Sequence, residues 1–263
     1  MNSFHLRRSL IENSQTIGGM ILLVGLWEVG CRVLEVPSWL LPTPSRVAVE
    51  TWEIAGILPQ HFLATLWAVL GGFFLAIAVG IPLAVAIVYS PILRRLIYPL
   101  ILMLQSVPKV AIAPILLLWV GYGLQSSIVV AATVAFFPIV ISTAAGLESV
   151  DKELLELTRS LDSSGWKVFM KVRLLWAMPH IFSGLKVAIT LSVIGAIVAE
   201  FIGADKGLGY LILTNSGAMK TAVMFGVLVV LSLLGIVSFY AVCWAERVFC
   251  PWYLPVSQDP NNL

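Results

Sequence analysis

Polar residues fall along this chain in short bursts between long apolar stretches, and the spacing of those bursts sets the number and length of its helices. Residues 110–147 carry no charged side chain, nor do 187–199 or 221–245. About 20 consecutive apolar residues cross the hydrocarbon core of a bilayer as a helix. Lipid offers backbone N–H and C=O groups no other partner, so helix is the form they take. The run 110–147 is too long for one crossing, and the segment Gly121-Tyr-Gly-Leu-Gln-Ser-Ser127 divides it at a turn. Six spans are predicted on this basis, at about 16–34, 62–88, 95–120, 126–147, 181–203 and 222–246. They form a single transmembrane domain over 1–263, so the fold class is all-α and polytopic.

The one long polar interruption is Asp151 to Pro179, which reads DKELLELTRSLDSSGWKVFMKVRLLWAMP. Leu154, Leu157, Thr158 and Leu161 recur at i, i+3, i+4, i+7, the period of one helix face. Asp151 and Glu153 sit in the first turn, where the helix dipole favours acids. Asp162-Ser-Ser-Gly165 is turn chemistry, and Ser163 or Ser164 can cap a second helix. Two readings stay open from the residues alone. The insert either rests on lipid headgroups as an amphipathic helix or docks into a protein that couples the chain to an energy source.

Composition agrees with the pattern. Of 263 residues 59% are hydrophobic and only 11% charged, with a mean hydropathy of +0.97. A soluble domain carries about 25% charged residues. The net charge of +2 is too slight to suggest nucleic acid. Arg7-Arg8 before an apolar run imitates a secretory signal, but Glu28 and Arg32 interrupt that run and no small-residue cleavage site follows, so it reads as a retained span. Lys and Arg mark the cytoplasmic loops. Eleven of them (Arg7, Arg8, Arg94, Arg95, Lys152, Arg159, Lys167, Lys171, Arg173, Lys186, Arg247) share one side, against four (Arg32, Arg46, Lys206, Lys220) on the other. Both termini and the 151–179 insert are therefore expected in the cytoplasm. Cys31, Cys243 and Cys250 lack CxxC spacing and read as reduced packing residues.

Several single residues carry candidate chemistry. Lys109, between Pro108 and Pro114, falls near mid-span, where a charge is a functional candidate by default. It either lines the path of an anionic solute or snorkels from a proline-broken helix. Gln105 and Ser106, one turn earlier, share its neighbourhood and can offer hydrogen bonds to a passing solute. Glu200 ends the fifth span beside Gly203, Gly207 and Gly209. It is expected to hold an external turn by accepting backbone or Lys206 hydrogen bonds, with gating or a binding-protein contact as the alternative. His5, His61 and His180 have no acidic or Cys companions at ligand spacing, so no metal site is expected. The proline-rich segment Glu35 to Glu53 leads into a short amphipathic helix, lying on the membrane surface or under a partner protein. A membrane hydrolase would need a nucleophile such as G-x-S-x-G with a facing His, and neither occurs. A gradient-driven transporter or channel would show two related halves with matching interruptions. Only Pro108–Pro114 is interrupted here, but this class remains the alternative.

The insert resembles the cytoplasmic loop of ABC-importer permeases, whose pattern is Glu-Ala-Ala, three residues, Gly, nine residues, Ile, one residue, Leu-Pro. Glu156 takes the Glu position, and Val172 and Leu174 the Ile and Leu positions. Leu157 and Thr158 replace the alanines, Asp162 stands where the Gly belongs, and Leu175 replaces the Pro. Gly tolerates φ > 0 better than Asp, so Gly165 is expected to supply a shifted bend. Pro108-Lys-Val-Ala-Ile-Ala-Pro114, Leu118-Trp-Val-Gly-Tyr-Gly123, Met178–Ala188, Ala199-Glu-Phe-Ile-Gly203 and Gly207-Leu-Gly-Tyr-Leu211 follow in order. Together they are similar to the permeases of nitrate, sulfonate, taurine and bicarbonate importers, a branch that includes pyrimidine-precursor transporters. The likeness covers about residues 16–250.

The resemblance implies the type I importer permease fold in a bacterial inner membrane. It also implies a second permease copy (a homodimer), two copies of a cytoplasmic ATPase, and an extracytoplasmic binding protein that delivers a small solute, an anion foremost. The ATPase contact would run through Glu153, Leu154, Glu156, Leu157, Thr158, Arg159, Leu161, Asp162, Ser163, Ser164 and Gly165. The chain has no G-x-x-x-x-G-K-[ST] motif. It is thus expected to be a non-catalytic subunit without a cofactor of its own, ATP and Mg being held by the ATPase.

Overall fold

The structure is a computed structural model that describes residues 2–161 and 164–253, with side chains from Gly18 onward except that of Arg159. Asp162 and Ser163 of the expected turn, and the side chains of His5, Arg7, Arg8 and Arg159, lie outside the described residues. All regular structure among the described residues is helical: α1 Asn2–Val33, α2 Pro44–Glu53, α3 Leu58–Tyr89, α4 Pro91–Gln105, α5 Lys109–Val120, α6 Leu124–Glu148 and α7 Lys152–Ser160. After these come α8 Gly165–Val168, a π-helical turn Phe169–Arg173, α9 Leu174–Gly203, α10 Leu208–Gly217 and α11 Thr221–Phe249.

Among the described residues four helices are long and apolar enough to cross a membrane, or five if the bent pair α4–α5 is one span. The first predicted span, 16–34, falls within α1 but for its last residue. Two predictions are corrected. The expected span over 95–120 is two helices bent by 106°. Pro108 disfavours helix at Val107, and α4 stops at Gln105 with Ser106 as its C-cap. The second amphipathic helix of the polar insert is not separate either. It is the beginning of the fifth span, because Gly165–Gly203 runs for 39 residues. Pro179 lies inside that helix, and no stop signal intervenes.

The chain divides into two compact units, one of residues 1–59 and 211–230, the other of 60–210 and 231–263. In the first, Glu28 on α1 holds the start of α2. Its Oε2 accepts from Ser45 N at 2.9 Å and its Oε1 from Ser45 Oγ at 2.8 Å, while Arg32 pairs with the same carboxylate. Thr43 caps α2 through Oγ1, and Pro44 takes the first helical position, where its missing N–H costs nothing. Trp27 tilts against Phe225 with ring centroids 5.8 Å apart, and Thr221 Oγ1 donates to Trp39 O at 2.7 Å.

In the second unit α6 packs tightly against α3 and α9. Lipid tails are as apolar as leucine, so spans associate through close van der Waals contact and interhelical hydrogen bonds, which small residues permit. A Cβ at Gly72 of α3 would come within 2.5 Å of Ala131 Cβ on α6. A Cβ at Gly195 of α9 would lie 2.8 Å from Ala131 Cα, and one at Gly184 would lie 2.6 Å from Ser142 Cβ. Both neighbours of α6 thus converge on Ala131. Ser192 Oγ closes the triangle by donating to Val69 O of α3 at 2.8 Å. Toward the other end, Lys186 pairs with Glu246 of α11 at 2.5 Å. All three cysteines are free, and burial pushes the Cys250 thiol up, with the Glu246 carboxylate adding to the effect.

Replacing Gly195 by valine should therefore force α9 off α6. Overpacking of this kind costs about 1–3 kcal/mol, read as a lower midpoint of heat-induced aggregation in detergent. Gly235→Ala, where nothing lies within 4 Å of the added methyl, should leave the midpoint unchanged.

Candidate functional site

Three places hold the residues singled out in the sequence. At the α4–α5 bend, Lys109 Nζ donates to Gln105 O at 2.9 Å and stands 5.0 Å from the Phe137 ring centroid. The ammonium thus satisfies a carbonyl orphaned by the end of α4 and favours the negative end of that helix dipole. Lys109 is the first residue of α5, placed there by the bend rather than in the middle of a continuous helix. Gln105 contributes its carbonyl to this contact, and the side chains of Gln105 and Ser106 are exposed. Lys109 makes no ion pair among the described residues, and its described partners, a carbonyl and an aromatic face, stabilise its charge without cancelling it.

The second place is α7. Glu153, in its first turn, and Glu156 are exposed, while Leu154, Leu155 and Thr158 are half-buried. Leu157 and Leu161 are 55% and 69% exposed, so the apolar stripe read from the sequence divides into an inner and an outer edge. The inner edge borders a cavity of about 390 Å³ lined by Leu154, Val172, Leu175, Trp176 and Trp252. Thr158 Oγ1 donates to Leu155 O at 2.8 Å. Ser164 is the N-cap of α8 without a side-chain capping bond. Gly165 opens α8 without a positive φ, and the turn before it runs through Asp162 and Ser163, outside the described residues. Trp166 is 70% exposed and packs 5.6 Å from Phe169, which meets Tyr89 of α3 edge-on at 5.8 Å. Arg173 lies over the Tyr89 ring at 5.4 Å. The π turn thus seats the root of α9 on the end of α3, a link that hydrophobic periodicity cannot reveal.

The third place is the start of α10, where three consecutive backbone N–H groups meet three side chains. Gly207 N donates to His61 Nδ1 at 3.0 Å, Leu208 N to Thr65 Oγ1 at 2.8 Å, and Gly209 N to Glu200 Oε2 at 2.8 Å. These are the first donors of a helix, which have no partner inside it. The Thr65 hydroxyl donates in turn to Glu200 Oε2 at 3.1 Å, with the His61 carbonyl oxygen at 3.3 Å. His61, Thr65 and Glu200 are buried, and the His61 ring stacks on Tyr210 at 5.8 Å with an interplanar angle of 4°. A carboxylate at a helix N-terminus is favoured by the dipole, which makes a buried acid at 2% exposure tolerable. Gly207 has φ +126°, and a Cβ there would run into the Glu200 carboxylate. Glu200, Gly207 and Gly209, singled out together from sequence, are thus brought into contact. His61 and Thr65 are site residues that the sequence pattern does not reveal. They lie at i and i+4 on α3, about 140 positions upstream, and His61 attracts notice in the sequence only as a possible metal ligand.

Glu200→Ala should strand Gly209 N and leave the Thr65 hydroxyl only the His61 carbonyl, costing about 1–3 kcal/mol, whereas Glu200→Gln keeps an acceptor and should lose less. Gly207→Ala combines collision with a disfavoured backbone and should cost about 1–3 kcal/mol or more. Thermal denaturation of the purified protein checks all three.

Comparison with known proteins bears on what these places serve. The family model described as binding-protein-dependent transport system inner membrane component matches residues 72–249. The formylaminopyrimidine transport permease protein of Halalkalibacterium halodurans is 32% identical over 248 residues, 94% of this chain and 98% of that protein. The taurine transport system permease protein of Escherichia coli is 27% identical over 245 residues, 90% of this chain and 89% of that protein. An inward-facing structure of the MetNI methionine ABC transporter superposes with a TM-score of 0.65 at 23% identity, covering 75% of this chain and 98% of that one.

Proposed function

The chain belongs to the family of binding-protein-dependent transport system inner membrane components, and we propose that its α7 is the element through which a cytoplasmic ATPase drives it. It is the permease subunit of an ABC importer, a transport subunit that is not itself catalytic, and it works with a separate ATPase. This membership displaces the gradient-driven alternative and the hydrolase.

The observation that carries the coupling role is the outer edge of α7. Leu157 and Leu161 are exposed on a short helix, Trp166 follows, and the chain then continues without a break into a span. Exposed apolar side chains in a charged loop suit docking into a groove better than solvent. Glu153 and Glu156 supply polar contacts beside them. A push on α7 is passed along a continuous helix, and the Tyr89–Phe169–Arg173 contact carries it to α3. In this reading two copies of the chain form a homodimer and two ATPases hold ATP and Mg. The binding protein delivers solute on the opposite side, and both termini and α7 face the cytoplasm. The excess of Lys and Arg on that side supports the orientation.

The cargo is a small anion in the reading we favour. Lys109, with no carboxylate partner among the described residues, leaves a net positive charge at the α4–α5 bend. The relative named for taurine transport agrees with a sulfonate. A second reading, an aromatic nitrogen heterocycle, is favoured by the relative named for formylaminopyrimidine transport, the more similar of the two.

Affinity purification from detergent-solubilised membranes should recover an ATPase bearing a Walker A motif. Scrambling 153–165 should abolish that recovery. Leu157→Ser with Leu161→Ser should cut binding-protein-stimulated uptake about tenfold or more, the scale at which anchor residues of an interface act, while the protein still inserts. Full uptake in that double variant rejects the coupling role. Uptake competed by taurine, and lost in Lys109→Gln, supports the anion. Competition by a pyrimidine alone supports the heterocycle.

A further inference from the structure

Three neighbouring N–H groups capped in register by side chains from two different spans are more than a short loop requires. A helix N-terminus is ordinarily capped by one local Ser, Thr, Asp or Asn. Here the residue before α10 is Gly207, which has no side chain to offer. The capping function has been moved to His61 and Thr65 on α3 and Glu200 on α9. α10 is ten residues long, too short to cross a bilayer. The chain leaves the second unit beyond Tyr210 and enters it at Gln60, one residue outside the stacked His61–Tyr210 pair.

We propose that His61, Thr65 and Glu200 are positioning residues that hold the first turn of α10 in place for transport, and that this hold requires a neutral His61. The proposal rests on the importer reading above and adds to it a site that titrates. The geometry sets the sign. His61 Nδ1 accepts from Gly207 N, so the ring is neutral and carries its proton on Nε2. An imidazolium carries a hydrogen on both nitrogens and accepts on neither. Protonation thus turns the Gly207 contact from a hydrogen bond into two opposed N–H groups. The charged groups acting on the ring are Asp205 and Lys206 in the α9–α10 connection. Glu200 reaches it through Thr65, and the Tyr210 ring covers one face.

The test uses the whole importer in proteoliposomes, with its ATPase and liganded binding protein, at pH 7.5 and 5.5. Wild-type uptake should fall several-fold in acid. His61→Gln, whose amide oxygen can accept from Gly207 N without titrating, should stay within about twofold of wild type at pH 7.5 and lose most of the acid decline. Thr65→Val should lower uptake at both pH values with the decline intact. Identical pH profiles for wild type and His61→Gln overturn the proposal. Hydrogen–deuterium exchange over 204–210 reads the hold directly, including in a variant inactive for other reasons. Exchange, corrected for intrinsic rates, should rise in acid for wild type and not for His61→Gln, and its failure to rise in wild type overturns the proposal equally. Failure of the importer reading shows differently, as the absence of any ATPase stimulation in the wild-type assembly.

Discussion

The approach of α3 and α9 to the same stretch of α6 is the constraint on which the rest of the second unit depends. In a bilayer there is little to gain from hiding leucines from other leucines, so spans are held by how closely their backbones can come. Gly72 on α3 and Gly195 on α9 both abut Ala131, so a methyl added at either glycine has nowhere to go. Ser192 Oγ reaches Val69 O only because that approach is so close. With α3 and α9 set against one helix, their relative register is settled, and His61, Thr65 and Glu200 arrive within reach of one another as a consequence.

That register explains how a carboxylate can be buried at the end of a span. A polar group taken out of water needs partners that arrive already oriented. Glu200 has the Thr65 hydroxyl and the Gly209 amide, at the positive end of α10. The glycines are the converse of the same fact. Any side chain at 207 would occupy the space the carboxylate fills, and a left-handed backbone there already excludes most residues. Acid, hydroxyl, imidazole and glycine form one polar unit, so changes among them should be strongly non-additive.

At the α7 end, structure and function meet through continuity. The helix that would meet the ATPase is followed by one that runs for 39 residues to Gly203, where the connection to α10 begins. A helix is stiff along its axis, so displacement at its root is carried along it rather than absorbed. The π turn at Phe169–Arg173 interrupts the regular α-helical geometry of this rod, and it falls where α3 touches it through Tyr89. Such turns widen the helix by one residue and re-aim the side chains beyond them.

The all-helical membrane class, four of the six predicted spans, the polar insert and the pairing of Glu200 with Gly207 and Gly209 were all legible in the sequence. Each rests on local information: run length against bilayer thickness, a 3.6-residue period, or glycines close to an acid. The bend at Pro108 was half legible, since prolines announce a break but not an angle of 106°. The union of the second insert helix with α9 was not legible, because a helix leaving the membrane keeps its backbone bonds while its side chains turn polar. Nor were the partners of Glu200. His61 and Thr65 stand about 140 residues away, and only the packing of three helices brings them to the start of α10. The sequence by itself determined that this chain crosses a membrane, because transfer free energies add residue by residue. Which side chains cap α10 was decided by tertiary structure alone, because a hydrogen bond depends on a distance of about 3 Å that no local pattern encodes.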